Sequence, residues 1–88
     1  MDAQTAWRLH PQVSVRPESF GALLYHFGTR KLSFLKDRTL LSIVERLDSS
    51  PDVTAALDAA GVPDAERARY LRALDTLAQS HMIQERAA

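Results

Sequence analysis

The sequence predicts an α+β domain in which a three-stranded antiparallel sheet is followed by three helices. The first half holds short apolar runs separated by proline and glycine, which is typical of strands joined by turns. The second half spaces its apolar residues by three and four, which is typical of helices. The chain has 88 residues, of which 45% are hydrophobic and 25% are charged. These values predict one soluble globular domain that spans residues 1–88.

The strands are predicted from alternation and from the residues that flank each run. Residues 12–16 alternate polar and apolar between two prolines, which indicates a short edge strand. Residues 20–27 are apolar on both faces, as expected of a central strand. Gly28-Thr29 forms the turn, with the glycine free to take a positive φ. Residues 30–36 form the third strand, with Leu32 and Phe34 on one face.

The segment before the first strand, residues 1–11, is predicted to be a flexible tail. Trp7 and Leu9 are large apolar side chains within this segment. We expect these two side chains to be the part of the tail that tucks against the domain.

The helices are predicted from residues that cap helix ends and from apolar residues spaced along one helix face. Asp37 caps the first helix, whose apolar stripe runs over residues 40–47. Ser50 caps the second helix, and Pro51 occupies its first position. Gly61 follows the end of that helix. The third helix runs from Pro63 to about residue 80, and residues 81–83 then dock back on the sheet.

The residue inventory predicts a protein without catalytic activity, cofactor or metal. The chain has no cysteine, which excludes disulfides, thiolate nucleophiles and iron–sulfur ligation. There is no glycine-rich phosphate loop. Its three histidines, His10, His26 and His81, lie on three different elements and are not expected to pair closely.

Charge and hydropathy bear on partners and location. The N-terminus lacks a secretory signal, and no apolar run approaches the roughly 20 residues that span a bilayer. We therefore predict a cytoplasmic protein without a membrane partner. The formal net charge is zero, which argues against an affinity built on nucleic-acid phosphates.

The third strand has one free edge if the three strands follow one another in a meander. An open strand edge either risks aggregation or serves as a binding site. Because no catalytic constellation is present, this edge is the best candidate for a function. Residues 1–40 carry six basic and three acidic side chains, and the basic ones concentrate around the third strand.

The order of elements resembles the PqqD-like family of small winged-helix-like domains, which recognise leader peptides of ribosomally made natural products. Residues 7–17 and 20–36 look like the branch formed by the mycofactocin biosynthesis chaperones. The most specific block is His26-Phe-Gly-Thr-Arg-Lys-Leu-Ser-Phe-Leu35. The helices match in pattern only. The resemblance implies a PqqD-type fold that binds a precursor peptide and holds it for a radical S-adenosylmethionine (SAM) maturase, which carries the iron–sulfur clusters.

The residues themselves suggest how a leader would bind, namely as a fourth strand on the free edge. The strand side of this predicted site comprises Arg30, Lys31, Leu32, Ser33, Phe34, Leu35 and Lys36. The helix side comprises Arg67, Tyr70, Leu71 and Leu74. The basic residues predict an acidic leader, although the arginines of the third helix are equally explained as a solvated face.

Two alternatives remain open at this point. A winged-helix domain of this topology could bind nucleic acid through its third helix, but Asp64, Glu66 and Asp75 offset the arginines there. A homodimer could also form by pairing two copies of the same free edge. Leader binding and self-association would then compete.

Overall fold

The computed structural model describes residues 1–86 and confirms the predicted α+β class with its three-stranded antiparallel sheet and three helices. The elements in chain order are β1 (Trp7–Leu9), β2 (Val13–Glu18), β3 (Gly21–His26), β4 (Leu32–Leu35), α1 (Arg38–Arg46), α2 (Val53–Ala59), α3 (Asp64–Gln79) and β5 (Ile83–Glu85).

The main sheet is the predicted meander, with strand order β2-β3-β4 and β3 in the centre. Leu24 pairs with Val15 on one side and with Ser33 on the other. Ala22, Leu24 and His26 point into the core and are buried. The helices cover only this inner face, so β4 keeps a free edge beside α3.

The prediction of a flexible tail over residues 1–11 is wrong for Trp7–Leu9. These residues form β1, which pairs antiparallel with β5 in a separate two-stranded sheet. The pairing continues outside the strands, because the His10 amide donates to the Met82 carbonyl at 2.9 Å. Met82 and Ile83 are buried, and their burial draws the C-terminal segment into the core. Residues 81–83 therefore dock on β1 rather than on the main sheet.

The helix caps agree with prediction at α1 and differ at α2. The Asp37 carboxylate accepts from the amides of Thr39 and Leu40, at 2.6 and 3.3 Å. The start of α2 was predicted two residues too early, since Asp52 is the N-cap and accepts from the Ala55 amide at 2.8 Å. Ser50 instead donates its hydroxyl to the Arg46 carbonyl at the end of α1.

The turn between β3 and β4 uses a different residue from the one predicted. Arg30, and not Gly28, takes the positive φ of 63°. Glycine is needed at position 28 for another reason. A Cβ there would lie 2.3 Å from Oε1 of Gln12 and 2.9 Å from the His26 ring. Gly61 follows the end of α2 as predicted, and it has a left-handed conformation with a φ of 73°.

Candidate functional site

The free edge of β4 offers backbone groups that no strand of residues 1–86 pairs with. The His26 amide donates to the Lys31 carbonyl at 3.0 Å, so these two residues form a hydrogen-bonded pair. Pairs in an antiparallel ladder alternate between bonded and non-bonded. In the observed register, Leu32 and Phe34 therefore direct their N–H and C=O groups outward, away from β3.

A groove lies between this edge and α3. It consists of two adjoining pockets with volumes of about 240 and 340 Å³. Phe34, Leu40 and Ala73 line both pockets. The further lining residues are Ser33, Leu35, Lys36, Asp37, Arg69, Tyr70, Thr76 and Leu77.

The predicted strand side of the site is brought together, but its residues differ in what they present. Leu32 and Phe34 are 55% and 59% exposed, whereas Leu35 is fully buried and belongs to the core. Ser33 and Lys36 line the groove. Arg30 and Lys31 precede β4, at its hairpin end, and do not line the groove.

On the helix side, only Tyr70 of the four predicted residues lines the groove. Leu74 is fully buried, and Leu71 packs against the core beside it. Arg67 turns toward the α2–α3 connection, where it contacts the carboxylate of Asp58 at 2.5 Å.

The groove face of α3 carries Arg69, Tyr70, Ala73, Thr76 and Leu77, of which only Tyr70 was predicted. Tyr70, Ala73 and Leu77 follow the spacing i, i+3, i+7, which places them on one face of the helix. The signal that could have found them is the small side chain of Ala73 one turn after Tyr70, because a small residue leaves room for a ligand.

Tyr70 is fixed by a hydrogen bond across the groove floor. Its hydroxyl donates to Oδ2 of Asp37 at 2.5 Å, and the Arg69 guanidinium donates to the same hydroxyl at 3.1 Å. Arg69 also lies over the Tyr70 ring, 4.7 Å from its centroid. These contacts join α3 to the junction of β4 and α1, and so they set the width of the groove.

The same network shifts the pKa values of Asp37 and Tyr70. Burial opposes ionisation of Asp37, but hydrogen bonds from Tyr70, Thr39 and Leu40 outweigh it and lower the pKa of the carboxyl. The hydrogen bond to Asp37, together with burial, raises the pKa of the Tyr70 hydroxyl. At neutral pH the groove floor therefore holds an ionised Asp37 bound to a neutral Tyr70.

Comparison with known proteins assigns the family. The profile of the Peptide chaperone MftB family matches residues 6–84. This chain belongs to the Peptide chaperone MftB family. Three curated proteins with the name Peptide chaperone MftB match over 82 residues, which is 93% of this chain. The protein from Mycobacterium ulcerans (strain Agy99) is 65% identical over 75% of its length.

The other two relatives are nearly as similar. The protein from Mycobacterium tuberculosis (strain ATCC 25618 / H37Rv) is 60% identical over 75% of its length. The protein from Mycolicibacterium smegmatis (strain ATCC 700084 / mc(2)155) is 61% identical over 80% of its length. The predicted resemblance to the mycofactocin biosynthesis chaperones is thereby confirmed.

A solved structure supports the fold alone. The crystal structure of E. coli MccB with succinimide superposes with a TM-score of 0.55 and 18% identity, over 88% of this chain and 22% of that chain. Together with the strand order and the three helices, this likeness confirms the winged-helix-like PqqD-type architecture.

The third helix of this MftB family member has most of its basic groups paired with acidic ones. Arg67 contacts Asp58 and Asp64, and Arg69 contacts Glu66 at 2.7 Å. A helix that reads DNA presents free basic side chains to phosphates and bases. The observed pairing weighs against the nucleic-acid alternative.

The outer face of the main sheet, opposite the helices, carries an apolar surface. We define the outer face as Leu23, Tyr25, Leu32 and Phe34, with Phe20 and Phe27 at its margin. All three phenylalanines of the chain are exposed, Phe20 by 46%, Phe27 by 61% and Phe34 by 59%. The rings of Phe20 and Phe34 lie 6.4 Å apart, and those of Tyr25 and Phe27 lie 4.9 Å apart. Exposed apolar clusters of this kind typically mark interaction surfaces.

The structure also bears on metal and membrane association. Within residues 1–86, no group of three histidine or acidic side chains is placed to hold a metal ion. No helix in the same range is long and apolar enough to cross a membrane.

Proposed function

We propose that this chain binds the leader of the mycofactocin precursor peptide as a fourth strand on β4 and presents it to a radical SAM maturase. The observation that carries the proposal is the free edge of β4, where Leu32 and Phe34 direct backbone donors and acceptors outward beside the groove. Strand addition uses such an edge for affinity and neighbouring pockets for selectivity. In this role the chain acts in the cytoplasm as a carrier without catalytic activity.

The groove accounts for selectivity. Successive side chains of an added strand point to opposite faces, so every second leader side chain would enter the groove. Its wall offers the Tyr70 ring, the gap above Ala73 and the Leu77 side chain, which suit apolar leader residues. Lys36 at one end suits an acidic residue.

The charge distribution supports an acidic leader. Residues 12–38 carry five basic and two acidic side chains. Of the two acidic ones, Glu18 contacts Arg16 at 2.9 Å and Asp37 is bound to Tyr70. The sheet therefore presents a net positive field to an approaching peptide, and we expect the affinity to fall as salt concentration rises.

Calorimetric titration tests this function. The protein is titrated with the precursor peptide from its own gene neighbourhood and with a leader truncated at the C-terminus. We expect both to bind alike at sub-micromolar to micromolar Kd, about 8–9 kcal/mol. Absence of binding by either peptide to protein shown to be folded by NMR would overturn the proposal. Titration with duplex DNA at low ionic strength tests the nucleic-acid alternative in the same samples.

The outer face is the surface we assign to the maturase. A peptide added to β4 covers the strand edge but leaves the rings of Phe20 and Phe27 exposed. The basic surroundings would repel a second copy placed face to face, and they suit a partner whose apolar patch is bordered by acidic side chains.

Replacing both Phe20 and Phe27 by serine is expected to weaken maturase binding about tenfold while leaving leader affinity unchanged. The matched control replaces both residues by tyrosine, which keeps the rings and should keep most of the binding. Surface plasmon resonance with immobilised maturase measures the first interaction, and calorimetry measures the second. Equal maturase binding by the serine variant and the parent would place the docking surface elsewhere.

The free edge also supports the proposal of a homodimer in the absence of peptide. Two copies would then pair β4 with β4, and a bound leader would occupy the same backbone groups. Native mass measurement should therefore show a dimer fraction that falls as leader is added.

A further inference from the structure

A second pocket lies apart from the groove and shares no lining residue with it. It has a volume of about 420 Å³ and lies between the β3–β4 turn and the small β1–β5 sheet. All three histidines line it, with Gln12, Gly28, Thr29, Ile83 and Gln84. The expectation that the histidines would not pair closely is therefore wrong, since the rings of His10 and His26 have centroids 4.4 Å apart.

Backbone hydrogen bonds determine which ring nitrogen carries the proton in two of these neutral histidines. Nδ1 of His10 accepts from the Gln12 amide at 3.0 Å. Nδ1 of His26 accepts from the amides of Gly28 and Thr29, at 3.0 and 3.1 Å. In a neutral imidazole, one nitrogen accepts and the other carries the proton. Both rings therefore hold their proton on Nε2.

The chemistry of these Nε2–H groups decides the ligand class. A histidine that ligates a metal through Nε2 normally donates through Nδ1, which neither ring can do here. No hydrogen bond to Nε2 of His26 is formed within residues 1–86, and this nitrogen remains open to the pocket although the residue as a whole is 97% buried. The pocket thus offers unpartnered donors and calls for a ligand that accepts hydrogen bonds.

The lining favours a singly charged acceptor. It contains no acidic side chain that would repel an anion, and no lysine or arginine that would offset a phosphate dianion. With ring centroids 4.4 Å apart, His10 and His26 are close enough to donate together to the two oxygens of one carboxylate. Charge-assisted hydrogen bonds of this kind are strong.

His81 adds a third imidazole in a costly conformation. Its φ is 63°, in the left-handed region that non-glycine residues rarely occupy. It follows α3 at the position where glycine is usual, and the amides of His81 and Met82 donate to carbonyls in the last turn. A glycine there would avoid the strain but would remove the imidazole from the mouth of the pocket.

We propose that the pocket formed by His10, His26 and His81 binds a carboxylate group. This inference does not rest on the leader-binding proposal. The carboxylate belongs either to a small free acid or to the C-terminus of a peptide. A peptide C-terminus carries a backbone amide bond next to the carboxylate, and a site built for it should bind an acid with that amide bond more tightly than acetate.

Binding is expected to use the neutral His10 ring. Burial, together with the neighbouring groups His26, Arg8 and His81, lowers the pKa of His10. Protonation of Nδ1 would also break the hydrogen bond that the Gln12 amide donates to it. Both effects favour the neutral imidazole that donates through Nε2, so the affinity for a carboxylate should be similar at pH 7 and pH 8.

NMR titration of the full chain tests the proposal. Sodium acetate, N-acetylalanine and N-acetylalanine amide serve as probes, with sodium chloride as the ionic-strength control. Long-range ¹H–¹⁵N spectra of the histidine rings are expected to show protons on Nε2 of His10 and His26. Both acids should then shift these signals to saturation. Tighter binding of N-acetylalanine than of acetate would identify a peptide C-terminus, and equal binding would identify a free acid.

Two variants are used, so that the proposal can still be tested if one of them fails to fold. His10→Phe keeps the ring contact with His26 but removes the donor, and should weaken acetate binding about tenfold. His81→Gly should weaken it less while raising the melting temperature. Gln79→Ala, on the exposed side of α3, is the control and should change nothing. Protons on Nδ1, shifts that chloride reproduces, or equal binding of the acid and the amide would each overturn the proposal.

Discussion

Replacing Phe34 by proline is expected to weaken leader binding by about 30-fold or more, which corresponds to about 2 kcal/mol. The Phe34 amide faces the free edge, so its loss leaves the ladder with β3 intact. A leader strand, in contrast, would lose one main-chain hydrogen bond. The proline ring would also clash with the leader backbone where the two strands lie closest together. Prolines are tolerated on edge strands for the same geometric reason, so the domain should remain folded.

The matched control is Phe34→Ala, which removes the same aromatic ring but keeps the amide. We expect this variant to lose a few-fold in affinity at most, and the difference between the two variants isolates the main-chain contribution. Calorimetry with the leader measures the affinity, and amide NMR spectra establish that both variants are folded. If proline and alanine weaken binding equally, the leader does not add as a strand to β4. Leu35, one residue further on, is unsuitable for such a test because it is fully buried.

The sequence predicted the backbone of the site better than its side chains. The apolar runs in residues 20–36 were enough to place β4 at the end of a meander, because a one-residue slip would expose Leu35 and turn Lys36 toward the core. The facing helix is less constrained by pattern. Tyr70 sits between the buried stripe of Leu74 and the groove face of Ala73, and only the packing of α3 decides which side forms the wall.

Contacts between distant parts of the chain escaped prediction altogether. The strand β1 exists because β5 reaches it from the other end of the chain, and three residues at 7–9 carry no strand signal of their own. The histidine pocket has the same origin. His10 follows β1 and His81 precedes β5, so pairing these two strands brings both residues beside His26.

Replacing Asp37 by alanine is expected to lower the free energy of unfolding by about 3 kcal/mol. Asp37 serves two elements at once, because Oδ1 caps α1 and Oδ2 accepts from the buried hydroxyl of Tyr70. Alanine removes the cap and leaves the Tyr70 hydroxyl without its acceptor. Asp37→Asn keeps a capping oxygen and should lose less stability. Urea unfolding measures both, and a loss below 1 kcal/mol for alanine would contradict this account.

The pH dependence gives the same contact an independent signature. The pKa of Asp37 is lower in the folded protein than its ordinary value of 3.8. The ionised carboxylate therefore stabilises the fold fully above about pH 4, and this contribution is lost as pH falls through the lower, folded-state pKa. The pKa of Tyr70 is raised above 10.0, so its contribution is present below that pH and lost in stronger alkali.

Asp37→Asn should flatten the acid limb of the stability curve, and Tyr70→Phe should flatten the alkaline limb. The double variant should cost less than the sum of the two single changes, because each single change breaks the same hydrogen bond.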